Sequence, residues 1–423
     1  MSNEPLPETG ARTTIITIFI SVFLLGSGSA LQSSAIVLRA AIEEFSELMI
    51  GVIASSYFAG MLAGSFIAIV IIKQVGYVRS FAGFASLASA SALAHVLLIN
   101  PAAWVVFRLL HGISLSVVLV VVESWLNVAS PKATRGRVLS AYSLVFLASM
   151  GIAQPLLGVF SPAGFELFGI TSILVSLCLL PITLVNVQGV VTISDVRVRV
   201  MGVMRKSPMG TLGVVTSGLV AGAHLSLSPR FAQDLGLPAG SIGLFLLVFS
   251  LGTIVMQWPL GLISDRSGRR PALLLSSVMG MLAAAGISFS GGPGIWMGAT
   301  AFLFGGFAMP LYSLALATVN DQLLPEDMVQ SASALYVFYG VGSMVGPLAA
   351  SAGMGRFGAS ALYWFIALIL GTYAAFGVAW IHRVPGFLVR GRAETYRPYP
   401  RTSVFALQLF GRRPGKNGGR KKR

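Results

Sequence analysis

Apolar residues recur along this chain in long runs, and short polar or glycine-rich stretches separate one run from the next. Twelve runs come close to or exceed the ~20 mostly apolar residues that a helix needs to cross a bilayer. Their approximate bounds are 14–36, 48–72, 80–99, 104–127, 138–160, 166–187, 211–231, 241–263, 272–290, 294–318, 330–352 and 360–382. The pattern predicts an all-α integral membrane protein with twelve transmembrane helices.

A repeat with an offset of 192 residues relates the first six runs to the last six. Six positions carry the same residue in both copies, namely Gly26 and Gly218, Ser34 and Ser226, Gly51 and Gly243, Gly60 and Gly252, Gly76 and Gly268, and Pro155 and Pro347. Internal repeats in a hydrophobic chain are typical of secondary transporters. We therefore predict two pseudo-symmetric six-helix bundles over residues 1–187 and 211–382, a cytoplasmic linker over 188–210 and a basic cytoplasmic tail over 383–423.

Composition and charge indicate how the chain lies in the membrane. Hydrophobic residues make up 55% of the chain and charged residues 10%, whereas an ordinary soluble domain carries ~25% charged residues. Most of the surface must therefore face lipid. The net charge of +15 is unevenly distributed, because the connections on the side opposite the termini carry only Arg39, Arg230 and Arg356. The positive-inside rule then predicts that both termini are cytoplasmic.

Several function classes lack their sequence signatures in this chain. It has no phosphate-binding glycine-rich loop followed by Lys and Ser or Thr, which argues against ATP-driven transport. It has no nucleophile elbow and no cluster of His and acidic residues at metal-ligand spacing, and its single cysteine, Cys178, excludes an intrachain disulfide. We therefore expect no enzymatic activity, no catalytic residues, no metal and no cofactor.

The turn between the eighth and ninth runs carries the strongest local motif. It reads Gly261-Leu-Ile-Ser-Asp265-Arg266-Ser-Gly268-Arg269-Arg270-Pro271. This motif resembles the cytoplasmic signature of the major facilitator superfamily, in which a glycine turn presents a carboxylate and guanidinium groups to neighbouring helix ends. The resemblance implies a twelve-helix fold that works by alternating access, with a cytoplasmic gate at Asp265, Arg266, Gly268 and Arg269. The equivalent first turn adds Lys73, Gly76 and Arg79 as gate candidates, although Lys73 replaces the aspartate.

Arg108 lies inside the fourth run and, with Gly112, matches the R-x-x-x-G element that the superfamily carries in the same helix. An arginine at the centre of a membrane helix costs at least ~2.5 kcal/mol. We therefore expect Arg108 to face a polar cavity, where the resemblance implies a part in proton coupling or substrate binding. The alternative is that its side chain extends to the outer interface near Trp104.

Glu123 lies near the end of the same run, fifteen residues after Arg108. On a helix, that spacing brings the two side chains within ~60° of each other and ~22 Å apart along the axis. Both can then line one pathway without touching. Glu123 is a candidate proton carrier, because a buried carboxylate can take up and release a proton. The alternative is an ion pair at the cytoplasmic rim with Lys73, Arg135 or Arg137.

Glycine and proline recur in the fifth and eleventh runs as Gly151-x-x-Gln154-Pro155-x-x-Gly158 and Gly342-x-x-x-Gly346-Pro347. The first element resembles the antiporter motif of drug/proton exchangers, with Gln154 where that motif has glycine. The resemblance favours antiport. The alternative is that these residues only allow close helix packing.

A narrower resemblance covers about the first 160 residues. The segment Val-Val-Val-Glu123-Ser124, with Arg135-Gly136-Arg137 and the earlier Ser55-Ser56-Tyr57-Phe58, is similar to the bacterial YcaD-like branch of the superfamily. That branch implies a multi-pass protein of the bacterial inner membrane, and it leaves the substrate open.

Polar residues within the runs are candidates for the lining of a substrate cavity, namely Gln32, His224, His111, Gln154, Gln257 and Tyr336. Gln32 and His224 are equivalent in the repeat. Because the runs carry so few charges, we expect a neutral, amphipathic or weakly charged solute. The basic tail is predicted to contact anionic lipids rather than nucleic acid, and the oligomeric state stays open.

Together these patterns predict a secondary transporter that moves a small organic solute by alternating access, with proton-coupled export as the first expectation. Proton-linked uptake or facilitated diffusion of a metabolite is one alternative. A membrane sensor or scaffold that does not transport is the other.

Overall fold

A computed structural model describes residues 8–131, 134–183, 200–323 and 328–383 of the chain. These residues form α-helices with short connections, one 3-10 helix at Gln154–Gly158, and no β-strand among them. The helices are α1 (Glu8–Ile42), α2 (Glu47–Val75), α3 (Tyr77–Leu97), α4 (Pro101–Ala129), α5 (Arg135–Ile152), α6 (Glu166–Leu177), α7 (Leu179–Thr183), α8 (Val200–Lys206), α9 (Pro208–Asp234), α10 (Ala239–Ser267), α11 (Arg269–Ser288), α12 (Ile295–Ala308), α13 (Leu311–Asn320), α14 (Met328–Phe357) and α15 (Ala361–Arg383).

Twelve helical spans in the described part of the chain are long and apolar enough to cross a bilayer, and each coincides with one predicted run. The fifth span combines α5 with the 3-10 helix, the sixth combines α6 with α7, and the tenth combines α12 with α13. The prediction of an all-α membrane fold with twelve spans is therefore confirmed.

The predicted linker and tail are only partly covered by the described residues. Residues 188–199 of the linker and residues 384–423 of the tail lie outside them. Within the rest of the predicted linker, α8 occupies Val200–Lys206 and α9 begins at Pro208. The second half thus begins three residues earlier than the apolar pattern indicates.

Prolines coincide with two interruptions that the apolar pattern does not predict. The tenth span is divided at Met309 and Pro310, and the fifth changes from α-helix to 3-10 helix beside Pro155. Proline has no backbone N–H and its ring clashes with the preceding turn, so it weakens an α-helix at that point.

The repeat extends from the sequence to the backbone. Helices α2 and α10 are both 29 residues long, and each ends at a glycine, Gly76 or Gly268, with φ of 84° or 92°. Such positive φ values favour glycine. The two glycine N–H groups donate to the carbonyl oxygens of Ile72 and Ser264 at 3.0 and 3.1 Å.

Where short connections join consecutive spans, the spans alternate in direction. The connection between the sixth and seventh spans lies partly outside the described residues. We call the face where α1 begins and α15 ends the terminal face, and it includes the turns at Gly76 and Gly268. The opposite face is the distal face, which includes the connections at residues 43–46, 98–100 and 235–238.

The two halves contact each other near the distal face, where α2 packs on α14 and α10 packs on α5 and the 3-10 helix. A methyl group at Gly51 would lie 3.1 Å from the Pro347 carbonyl oxygen, and one at Gly243 would lie 3.1 Å from the Pro155 Cα. Helix backbones approach this closely only where the interface residue is small. The same contact of the repeat thus occurs twice, and it closes the distal face.

The apolar core divides in a way that agrees with this closure. One cluster joins residues near the distal face of the first half, such as Ile50 and Leu157, to residues of the second half such as Phe231 and Ile242. A separate cluster fills the part of the first half nearer the terminal face and includes Ile72. The halves therefore share one core at the distal side and have separate cores nearer the terminal face.

Candidate functional site

A cavity lies between the two halves and contains about 1700 Å³ of space not filled by atoms, part of it open to solvent. Its walls come from α1, α2, α4 and α5 of the first half and from α9, α10 and α14 of the second. Five of the predicted site residues line it, namely Arg108, Gln154, His224, Gln257 and Tyr336. The fold therefore brings residues that are more than two hundred positions apart in sequence into one site.

Arg108 faces this cavity, and its side chain is 3% exposed. Its guanidinium lies over the Tyr57 ring, 4.3 Å from the ring centroid. Nη2 donates a hydrogen bond to Ser33 Oγ at 3.3 Å, whereas Nε and Nη1 are buried and have no hydrogen-bond partner among the described residues. The side chain points into the protein, and not to the outer interface near Trp104.

Glu123 is fully buried one helical turn beyond the cavity wall. Leu115 and Leu119 line the cavity from α4, and Glu123 continues the same helix face at the next i+4 position. The Tyr142 hydroxyl donates to Glu123 Oε1 at 3.1 Å.

Gln154 joins α1 to the 3-10 helix at the edge of the cavity. Its Oε1 accepts a hydrogen bond from Ser34 Oγ at 2.9 Å, and its Nε2 donates to the Met150 carbonyl oxygen at 3.2 Å. Its own backbone also contacts Gly243 of the second half. Gln154 therefore links the cavity wall to the distal closure.

His224 and Gln257 contribute polar groups from the second half. His224 is 1% exposed, its Nδ1 lies 3.1 Å from the Tyr363 hydroxyl, and its ring centroid lies 3.9 Å from that of Phe249. His224 Nε2 and Gln257 Oε1 have no hydrogen-bond partner among the described residues. Gln257 Oε1 can therefore accept a hydrogen bond from a bound molecule, and His224 Nε2 can donate or accept one according to its tautomer.

Gln32 and His111 are buried but are not among the residues that line the cavity. His111 Nδ1 lies 3.3 Å from both Ser91 Oγ and the Ala88 carbonyl oxygen, so that ring edge faces α3. The two amide atoms of Gln32 have no hydrogen-bond partner among the described residues. The repeat makes Gln32 and His224 equivalent, yet only His224 reaches the cavity.

The Asp265–Arg270 turn forms an ionic cluster at the terminal face of the second half. Arg269 is 9% exposed and donates to Asp265, Asp321 and Ser264 at 3.0, 2.9 and 2.9 Å. These contacts tie the ends of α10, α11 and α13 together within one half. Arg266, Lys73 and Arg79 are exposed.

An ion pair at the distal face was not predicted from the sequence. Arg230 of α9 donates through Nη2 and Nε to Glu47 of α2 at 2.7 and 2.9 Å, and its Nη1 lies 2.8 Å from Asp234. The first contact joins the two halves. The available signal was that Arg230 is one of the few basic residues on that side.

No group of three or more His, Cys, Asp or Glu side chains that could hold a metal ion occurs in the residues that the structure describes.

Comparisons with known proteins agree on one family. A sequence profile described as Major Facilitator Superfamily matches residues 18–336 and 210–414. The chain is 28% identical over 366 residues to the uncharacterized MFS-type transporter YcaD of Escherichia coli O17:K52:H18, covering 85% of this chain and 94% of that one. It is 27% identical over 364 residues to the YcaD protein of Shigella flexneri, with the same coverage.

Solved structures with a similar fold are also transporters. The nucleoside transporter NupG superposes with a TM-score of 0.71 at 11% identity, covering 87% of this chain and 98% of that one. A bacterial homolog of the human lysosomal transporter Spinster, in an inward-facing and unoccupied conformation, gives a TM-score of 0.64 at 14% identity and covers 94% and 97% of the two chains. At these identities the likeness concerns the fold alone.

Proposed function

The chain belongs to the major facilitator superfamily of membrane transporters, and from that premise we propose that it moves a small organic solute through the central cavity and couples this movement to protons, with export as its direction. A transporter of this fold works by rocking two bundles around a site near the midplane. The observation that carries the proposal is the cavity itself, which both halves line and which the helix contacts close at the distal face.

The closure at the distal face supports alternating access as the mechanism. Gly51 meets the Pro347 region and Gly243 meets the Pro155 region, so the glycine–proline elements lie where the halves must separate. If the termini are cytoplasmic, as the charge distribution predicts, this conformation is closed to the outside. The antiporter-like elements then belong to the outer gate, which supports export.

Glu123 is the proposed proton carrier. Its carboxylate is fully buried and continues the face of α4 that lines the cavity. A substrate that fills the cavity against Leu119 would lie one helical turn from Glu123. It would therefore change the environment of that carboxylate, which is the coupling that a proton-driven carrier requires.

The Arg269 cluster is proposed to keep the second half rigid while it moves. It ties three helix ends together inside that half, so in the distally closed conformation it acts as a clamp within one bundle. Its role as a gate between the bundles, together with Arg266, Gly268, Lys73, Gly76 and Arg79, belongs to the conformation that closes the terminal face.

One observation favours proton-linked uptake as a second candidate. Arg108 is a fixed positive charge in the cavity, and no Asp or Glu is among the residues that line it. Antiport requires that substrate and proton exclude each other, whereas an anion at Arg108 is compatible with a neutral, protonated Glu123. Such a pair would travel in the same direction.

Inverted membrane vesicles that contain a pH-sensitive dye test the proposal. Respiration acidifies the lumen, and a panel of carboxylates, amides and amines is then added outside. Antiport predicts that a transported compound causes proton efflux, and that Glu123→Gln lowers this flux at least ~10-fold because the carrier carboxylate is gone. Glu44→Gln, which changes an exposed carboxyl at the distal face, is the matched control and should behave as the parent.

The same vesicles separate the two candidates. If proton flux appears only when the compound is loaded inside the acidic lumen, substrate and proton leave together and uptake replaces export. If Glu123→Gln is inserted in the membrane and retains the parental proton flux, Glu123 is not the carrier.

A further inference from the structure

In the part of the chain that the structure describes, the Arg108 guanidinium lies in the cavity wall without a carboxylate partner. It is fixed on one side by the Tyr57 ring and at one nitrogen by Ser33 Oγ. Nε and Nη1 are buried and have no hydrogen-bond partner within the described ranges. Since no acidic side chain is among the residues that line the cavity, the site presents a positive charge with no negative charge to balance it.

This arrangement is unfavourable for a protein that has no ligand bound. An uncompensated buried charge is strongly destabilising, and stacking on one aromatic ring offsets only part of that cost. A guanidinium is also a planar fork whose N–H groups match the two oxygens of a carboxylate. A carboxylate would complete this site.

The remainder of the cavity is too apolar to suit a small inorganic ion. Phe146 and Met150 of the first half and Leu246, Phe249 and Met309 of the second line it. A ligand that fills both parts has a charged head and an apolar or aromatic body.

We infer that the substrates of this transporter are amphipathic organic carboxylates, which bind Arg108 through the carboxylate and place their apolar body against the second-half wall. The inference rests on the proposed function, because it takes this cavity as the transport site. The sequence alone allowed a neutral, amphipathic or weakly charged solute. The inference restricts the substrate to an amphipathic anion. Lipophilic cations are disfavoured, since they would add a second positive charge beside Arg108.

Matched probes test the charge preference directly. The full chain, purified in detergent, is titrated with three skeletons that each exist as a carboxylate, an amide and an amine, built on phenylbutyl, indolyl and decyl groups. Binding is measured from the concentration dependence of the unfolding temperature. For at least one skeleton, the carboxylate should bind ~10-fold or more tightly than its amide, because it gains a charge-assisted hydrogen bond. The amine should bind most weakly.

Two substitutions of Arg108 test whether this residue causes the preference for carboxylates. Arg108→Gln should lower the affinity for the carboxylate to that for the amide, while the amide binds as it does to the parent, which shows that the variant is folded. Arg108→Lys keeps the charge without the planar fork and should give an intermediate affinity. Arg356→Gln, which removes an exposed arginine at the distal face, should leave all affinities unchanged.

Three results would overturn the inference. The first is that no carboxylate of the three skeletons binds more tightly than its amide. The second is that Arg108→Gln keeps the preference for the carboxylate. The third is that chloride or sulfate at equal concentration displaces the carboxylates completely, which would identify a site for inorganic anions.

The binding assay contains no proton gradient, so its failure and the failure of the proposed coupling can be distinguished. A preference for carboxylates without compound-dependent proton flux would contradict the coupling alone. Proton flux that amines drive as well as carboxylates do would contradict the substrate class alone.

Discussion

The two halves share their backbone contacts but place different side chains in the membrane. Gly60 meets the Leu109 carbonyl oxygen in the first half, and Gly252 meets that of Phe302 in the second. Because Leu109 and Phe302 make equivalent contacts, the residues that precede them, Arg108 and Ala301, are also equivalent. Ala301 is fully buried. Glu123 corresponds to the apolar segment Ala315–Leu316, and Tyr57 corresponds to Phe249. The repeat therefore preserves the scaffold, while the ionisable groups of the proposed mechanism belong to the first half.

The two glycine turns differ in the same way. In the second half, Arg269 binds two carboxylates. The equivalent position in the first half is Tyr77, whose ring centroid lies 6.5 Å from that of Trp125. At this position the second turn is held by charges, and the first turn has an aromatic contact. Equal backbone geometry does not imply equal stabilising interactions.

The largest expected effect tests what the halves share. Gly60→Val and Gly252→Val each place a side chain against a carbonyl oxygen of the facing helix, and overpacking of this kind should lower the free energy of unfolding by more than about 3 kcal/mol in both. Thermal or denaturant unfolding in detergent measures the change. Gly83→Val is the control, because nothing lies within 4 Å of the position its Cβ would occupy. A large effect in one half alone would show that the repeat does not preserve packing.

A smaller effect tests how the turns differ. Arg269→Gln leaves two carboxylates without their shared cation, and we expect a loss of about 2 to 3 kcal/mol of stability, reduced by the partial exposure of both acids. Arg266→Gln changes the exposed neighbour and should alter stability by less than about 0.5 kcal/mol. The same unfolding assay applies. If both substitutions have equal effects, the cluster does not stabilise the second half.

The smallest effect concerns the distal ion pair, which the repeat does not duplicate. In the repeat, Glu47 corresponds to Ala239 and Arg230 corresponds to Leu38, so the equivalent contact has no charges. The side chains of Glu47 and Arg230 are each 20% exposed. We therefore expect their ion pair to contribute ~0.5 kcal/mol to the stability of the closed conformation. Arg230→Gln should then raise the rate at which a maleimide labels Ser351→Cys about 2- to 3-fold, because Ser351 is buried against Gly51.

This measurement uses a background in which Cys178→Ser removes the single native thiol. High salt should raise the labelling rate of the parent, because exposed ion pairs are screened, and it should leave the rate of Arg230→Gln unchanged. A parent and a variant with equal labelling rates would mean that the pair does not hold the distal face closed.

Much of the fold could be predicted because few backbone structures can span a bilayer. Apolar length identifies the spans, and the glycines at 76 and 268 identify equivalent turns. The orientation of the Arg108 side chain toward the cavity was also predictable, because exposing an arginine to lipid within a membrane span costs too much free energy. The interruptions beside Pro155 and at Pro310 were missed because the apolar runs continue through both prolines.

The candidate site was less predictable, because it depends on contacts between distant segments. Glu47 and Arg230 are 183 residues apart, and charges at helix ends are too common to indicate a pair. Gln32 and His224 share a repeat position, but aromatic side chains of other helices, among them Phe249 and Phe304, surround the ring of His224. Side-chain environment thus differs where sequence position is equivalent.

The distal closure has a consequence for how such a chain can arise. Gly51 of the first half contacts Pro347 of the second, and Gly243 of the second contacts Pro155 of the first. In the numbering of the repeat, this is one pair of positions used twice, with the partners exchanged. That is the rule of an isologous interface in a two-fold homodimer, where one patch is complementary to itself. A single six-helix unit therefore contains both partners of the glycine–proline contact, as self-association into a two-fold homodimer would require.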